Sequence, residues 1–307
     1  MVDYDPHNWI RHLLAVRGSM VREIFLRVLS CFLFAVAVTY VHLRHHPLDI
    51  SDKPHALIGV ALGLLLVFRT NASYDRYWEG RKLWGAIVNT SRNLARRAAV
   101  QLRDTPELHD RLVRLLIGFP YVTMHGLRGE RSLDAAAALL RPDEVDAVMR
   151  AEHGAVALAR AMSEVLMQAR RRGVLTDVTH VAMEQDVADL ISWLGGCERI
   201  VKTPLPFPYV VHLRRALVLY CFTLPFALVP SFGWLTILAT TLLAYTLFGI
   251  EEIGVEIENP FEHEENDLPL ERICKTLEGN LRAFLPAADG PLASAPSSSV
   301  APEPDHA

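Results

Sequence analysis

The 307-residue sequence has only four cysteines, Cys31, Cys197, Cys221 and Cys274, and no two are close together. That spacing excludes a disulfide scaffold and gives no thiolate pair for a zinc site. Cys31 and Cys221 lie inside apolar segments, where cysteine behaves as a small hydrophobe. Catalytic signatures are missing as well. There is no Gly-x-Ser-x-Gly elbow, no phosphate-binding glycine loop, no His-Glu-x-x-His and no dinucleotide fingerprint. An enzyme is therefore not expected. The carboxylates Glu251 and Glu252 are adjacent, and neighbouring helical residues point to different sides of a helix rather than converging. A basic surplus is also absent: 31 Lys and Arg against 35 Asp and Glu leave a net charge of −4, which gives no electrostatic case for nucleic acid. No stretch alternates convincingly with period two, so strands are not expected.

The most telling absence is local. Residues 216–250 form a run of 35 without a single Asp, Glu, Lys, Arg or His. That is too long for one buried core helix and suits two membrane crossings joined by a tight turn. A chain that is 51% hydrophobic, with a mean hydropathy of +0.19, is not disordered, but these averages conceal how unevenly the apolar residues are spread. Four apolar segments stand out, at about residues 28–43, 54–68, 213–230 and 232–250. The second has 15 residues, or about 22 Å of helix, which falls short of a roughly 30 Å hydrocarbon core. It is expected to continue as a helix beyond Arg69. Pro-Ser-Phe-Gly (residues 230–233) separates the third from the fourth. The N-terminus carries Asp3, Asp5, His7, Arg11 and His12 and lacks a small-residue cleavage site, so the first segment reads as an uncleaved helix rather than a signal peptide.

Basic residues orient these segments. Arg11, Arg17, Arg22 and Arg27 precede the first, and 22 of the 31 Lys and Arg lie between Arg69 and Arg215. By the positive-inside rule both termini and residues 69–212 face the cytoplasm, with the protein in the plasma (inner) membrane. The expected organisation is an all-α membrane protein. It has a cytosolic N-terminal helix (1–27), a transmembrane hairpin (28–68), a helical cytosolic region (69–212), a second hairpin (213–250), a cytosolic segment (251–285) and a disordered Pro, Ala and Ser-rich tail (286–307). Val178, Val181, Met183, Val187 and Leu190 recur at helical spacing within the cytosolic region.

The densest pattern is Phe68-Arg-Thr-Asn-Ala-Ser-Tyr-Asp-Arg-Tyr-Trp-Glu-Gly-Arg-Lys-Leu-Trp-Gly85, at a membrane exit. Its Asn71, Tyr74, Asp75, Arg76, Trp78 and Glu79 make either an interfacial belt or a polar packing cluster that continues a permeation path. Just before it, Val60, Leu64 and Phe68 form an apolar stripe at i, i+4, i+8, which faces lipid or core unless several copies surround an axis. Gly59 and Gly63 form a small-residue edge beside it where another helix can approach. Glu264, Glu265 and Asp267 can offer oxygen ligands to a hard cation or form a solvated acidic loop. The His42, His45 and His46 turn has no matched carboxylate or thiolate partner and reads as a polar external turn.

Three blocks in this order and spacing resemble the bacterial branch of the bestrophin family: Phe68 to Arg81 of the dense pattern above, Cys197-Glu-Arg-Ile-Val-Lys-Thr-Pro-Leu-Pro-Phe-Pro-Tyr209, and Ile257-Glu-Asn-Pro-Phe261 with its acidic follow-on. The resemblance spans about residues 7–285. It implies a homopentameric channel for small monovalent ions, chloride in animal relatives and cations in some bacterial ones, with four transmembrane helices per subunit around one pore. It puts a hydrophobic neck at Val60, Leu64 and Phe68, and a cytosolic aperture at Val178 or, with another gap placement, Val181. Glu264 and Asp267 match positions of the animal calcium clasp, but His263 and Asn266 interrupt the acidic run, so calcium gating and a bound cofactor are not expected. The loop is expected instead to pair with arginines of a neighbouring subunit. Partners are then further copies of the chain, lipid and inorganic ions. The rival reading is a non-conducting membrane scaffold or sensor whose cytosolic helices bind a partner.

Overall fold

The computed structural model describes residues 18–44, 50–133 and 136–285, together with His7. Most of the N-terminal stretch, His45, His46 and the tail 286–307 lie outside the described residues. Among the described residues the chain is all-helical, with α1 (Val21–Arg44), α2 (Asp52–Gln101), α3 (Pro106–Leu127), α4 (Pro142–Arg150), α5 (Gly154–Arg171), α6 (Asp177–Lys202), α7 (Phe207–Phe232), α8 (Leu235–Glu256) and α9 (Leu270–Arg282). Four of these, α1, α2, α7 and α8, are long and apolar enough to cross a membrane.

Helix α1 begins at Val21, a full turn and more ahead of the charge-free run at residue 28. Its first turns carry Arg22, Glu23 and Arg27, and Arg27 uses this position to reach α8, as described below. Helix α2 is 50 residues long, about 75 Å, and runs unbroken from its apolar first half into a charged second half. Helix α7 stays helical through Pro225 and Pro230, so the expected four-residue turn shrinks to Gly233 and Trp234. One left-handed residue suffices to reverse the chain: Gly233 has φ +49°, a conformation that costs a side-chain-bearing residue but not glycine.

Two buried clusters organise the molecule. Ile24, Cys31, Leu62, Leu66, Leu217, Cys221 and Phe248 tie α1, α2, α7 and α8 together. A larger core joins the second half of α2 to α3, α5, α6 and α9. Helix α3 lies at its centre and is buried on nearly every face, as expected of a helix that is apolar all round. Helix α6 packs along α2 at close range, because a Cβ on Gly196 would sit 2.8 Å from Leu83 Cδ2. Met183, Val187, Leu190 and Leu194 turn inward, whereas Val178 and Val181 are exposed by 80% and 65%. The single apolar series read from the sequence is thus two faces of α6, separated by the roughly 100° step between residues.

Candidate functional site

The three sequence blocks, far apart along the chain, meet in one collar where the apolar half of α2 ends. Arg76 reaches across from α2 and donates to three carbonyls, Ile200 O at 2.6 Å, Thr203 O at 2.5 Å and Glu258 O at 3.0 Å. The carbonyls at the end of α6 have no partner within their own helix, and a guanidinium fork satisfies two of these groups while bridging to the chain beyond α8. One turn on, Glu79 accepts from Arg199 Nη2 at 2.7 Å. Gly80 lets the third block dock: a Cβ there would lie 2.7 Å from Pro260 Cγ and 3.0 Å from Phe261 Cζ. Phe261 is fully buried with its ring 6.3 Å from that of Trp84.

Two buried charges in this collar have partners that the sequence reading did not assign. Arg69, 1% exposed, pairs with the Glu258 carboxylate at 2.8 Å. Glu258 Oε1 also accepts from Leu205 N at 2.8 Å, which ties the entry of α7 into the same site. Glu251, 2% exposed, accepts from Arg214 Nε at 2.9 Å, and Arg27 Nη1 lies 3.5 Å from it and 2.5 Å from Glu252. The expectation that Glu251 and Glu252 diverge is therefore corrected. Arg27 lies across both, because α1 packs along α8 and a long guanidinium spans the angle between adjacent residues. The helical step is correct, but it does not limit what a third helix can bridge.

Of the six polar residues singled out at the membrane exit, only Arg76 and Glu79 turn into the collar. Asn71, Tyr74, Asp75 and Trp78 are exposed. So is the apolar stripe above them: Val60, Leu64 and Phe68 are exposed by 75%, 55% and 57%. At about 100° per residue, Val60, Leu64, Phe68, Asn71, Asp75 and Trp78 all fall within a sector of roughly 80°. Arg69 and Ser73, on the opposite side, are buried. One face of α2 is thus left without a partner in the chain, apolar at first and polar beyond Phe68. On the neighbouring edge Gly59 sits under the Tyr220 hydroxyl of α7, where a Cβ would come within 2.8 Å, whereas Gly63 has nothing within 4 Å.

The backbone of the acidic loop after Pro260 is pinned by the chain itself. Arg128, at the end of α3, donates to Phe261 O and Glu262 O, each at 2.9 Å, and to Glu271 at 2.5 Å. His263 meets Glu130 at 2.8 Å. Glu264 and Asp267 face each other locally, with Glu264 N donating to Asp267 Oδ2 at 2.8 Å. Among the described residues no group of three or more His, Cys, Asp or Glu side chains is arranged to hold a metal ion. Burial, reinforced by the neighbouring carboxylates Glu264, Glu262 and Glu256, pushes the Asp267 carboxyl up to about 7 against the lowering effect of the Glu264 N–H. An unfolded Asp titrates near 3.9, so the unfolded state binds fewer protons across the interval. This residue's contribution to stability is full below about pH 4, declines as pH rises to about 7 and levels off above. Asp267→Asn keeps an acceptor for the Glu264 N–H and is expected to flatten that part of the profile, read as unfolding temperature against pH.

Sequence comparison decides the family. Residues 1–283 match the family described as Bacterial/Fungal Bestrophin protein. The chain is a bestrophin. Its relatives include a voltage-dependent anion channel-forming protein of Nostoc sp., 39% identical over 279 residues, covering 89% of this chain and 91% of the relative. A protein of the same description from Escherichia coli K12 is 34% identical over 283 residues, covering 92% and 93%. The crystal structure of a bacterial bestrophin homolog from Klebsiella pneumoniae superposes with a TM-score of 0.81 at 31% identity, covering 85% of this chain and 98% of that one. The four long apolar helices and the helical mass around α3 are the bestrophin fold.

Proposed function

We propose that this bestrophin, whose named relatives are anion channel-forming proteins, is the subunit of a channel for small monovalent ions in which five copies surround an axial pore. The observation that carries this reading is the unpartnered face of α2. Val60, Leu64 and Phe68 would line a dry neck that gates by dewetting, and the same face continues past Phe68 into Asn71 and Asp75, which would carry the path into the cytosol. Val178, or alternatively Val181, on the exposed face of α6 would form the cytosolic aperture. In this reading the α1–α2 and α7–α8 hairpins span the plasma membrane with both termini cytoplasmic, since arginines and lysines crowd at the collar end of the helices. Conduction is passive, with no chemical step.

In planar bilayers the purified full-length protein is expected to carry currents, and Phe68→Ala to enlarge them or make them leakier by removing the widest ring of the neck. Silent bilayers for both forms, from protein shown by mass measurement to be a pentamer, would overturn the channel reading in favour of a scaffold or sensor.

A further inference from the structure

The α2 face that leaves the apolar stripe carries a charge whose sign is the opposite of what the local sequence suggests. Residues 69–82 hold four basic residues, Arg69, Arg76, Arg81 and Lys82, against Asp75 and Glu79, so the segment reads as a basic mouth. The fold redistributes these charges. Arg69 is buried on the far side of the helix against Glu258, Arg76 is turned onto the carbonyls of Ile200, Thr203 and Glu258, and Glu79 is paired with Arg199. Asp75 is exposed, and among the described residues it makes no ion pair and no side-chain hydrogen bond. It shares the sector of Val60, Leu64 and Phe68 and follows Phe68 by seven residues, about 10 Å along the helix. Only uncharged Asn71 lies between them on that face. The next charge there, Lys82, is about 10 Å further on.

We propose that Asp75 is a selectivity residue of this pore, a carboxylate at its cytosolic mouth that gathers small monovalent cations at the inner end of the apolar neck and holds anions back. This rests on the channel reading above, in which each of five copies contributes one carboxylate to a ring. A neck of Val, Leu and Phe carries no charge with which to choose a sign, so the choice falls to the nearest fixed charge on the path. Rings of carboxylates act this way in cation-conducting pores, and low-dielectric walls focus their field. At physiological ionic strength the Debye length is about 8 Å, so the ring acts on the end of the neck and little beyond.

The test is the reversal potential of the full-length protein in planar bilayers under asymmetric NaCl. Asp75→Asn is expected to lower the sodium-to-chloride permeability ratio by about ten-fold at low salt, the lower end of what charge-focused clefts do to local ion concentration. Asp75→Glu is expected to keep the ratio. The difference between Asp75→Asn and the parent is expected to shrink near 1 M salt, where the Debye length is about 3 Å. A conducting Asp75→Asn channel with an unchanged ratio at low salt overturns the proposal, and so does a change indifferent to salt, which would report altered packing. Asp75→Cys provides a second route, since the four native cysteines are all buried. Modification from the cytosolic side by a sulfonate-bearing and a trimethylammonium-bearing thiol reagent is expected to shift the ratio in opposite directions, and shifts of one sign overturn the assignment. A silent parent protein would instead overturn the channel reading itself, and the proposal with it.

Discussion

Glu258→Ala is expected to lower stability by about 3–5 kcal/mol, because it strands a buried guanidinium. Arg69 is 1% exposed and its carboxylate partner is Glu258 at 2.8 Å. Without it the buried guanidinium loses its carboxylate, and Leu205 N loses its acceptor in the same step. Removing both charges is expected to be far milder. An Arg69→Met, Glu258→Leu double variant leaves no unpaired charge and fills the site with apolar volume, so much of the loss is recovered. Thermal unfolding in detergent of the two single variants and the double variant reads the coupling. Additive losses would show that Arg69 has another partner that compensates for Glu258.

Phe261→Ala is expected to cost about 3–5 kcal/mol through the cavity it opens, since the ring is fully buried against Trp84 and beside Gly80. The loss also has a local consequence. Phe261 and Glu262 supply two of the three acceptors of Arg128, so unseating the ring loosens the acidic loop from the end of α3. Gly80→Ala presses on the same contact from the other side. A Cβ at 2.7 Å from a pyrrolidine ring cannot be relieved by rotating a side chain, and an overpacking cost of about 1–3 kcal/mol is expected. Hydrogen exchange of residues 259–267 checks both: faster exchange there is expected in each variant, and unchanged exchange would place the loop's anchor elsewhere.

Much of this architecture is legible in the sequence because its signals are local. Thirty-five residues without charge, and four apolar runs in all, demand burial away from water whatever the rest of the chain does. The stripe of Val60, Leu64 and Phe68 follows from the helical step alone. The collar is different. Its residues were visible only as three dense blocks, and reading them singly did not tell which would turn inward. Asn71, Tyr74, Asp75 and Trp78 face outward, whereas Arg69 and Glu258, which the sequence did not connect to each other, form the buried pair. A basic residue at the end of an apolar run reads as an interfacial anchor, and nothing in its own neighbourhood reveals that a carboxylate from beyond α8 waits on the buried side.

The sequence by itself determined that the chain is helical, that four of its segments are apolar enough to span a membrane, and that a charged helical mass lies between the two hairpins. These follow from composition and from a periodicity of 3.6 residues, which is a property of each segment alone. Only the tertiary structure decided which charges are available. Arg27 meets Glu252 across 225 residues of chain, Arg76 meets Ile200 across 124, and Arg128 meets Phe261 across 133. Such pairings depend on how helices cross and how closely they approach, as Gly80 and Gly196 show. Once Arg69 and Arg76 are drawn inward by a carboxylate and by carbonyls, the first charge on the α2 face beyond Phe68 is an aspartate, with Lys82 the next along it.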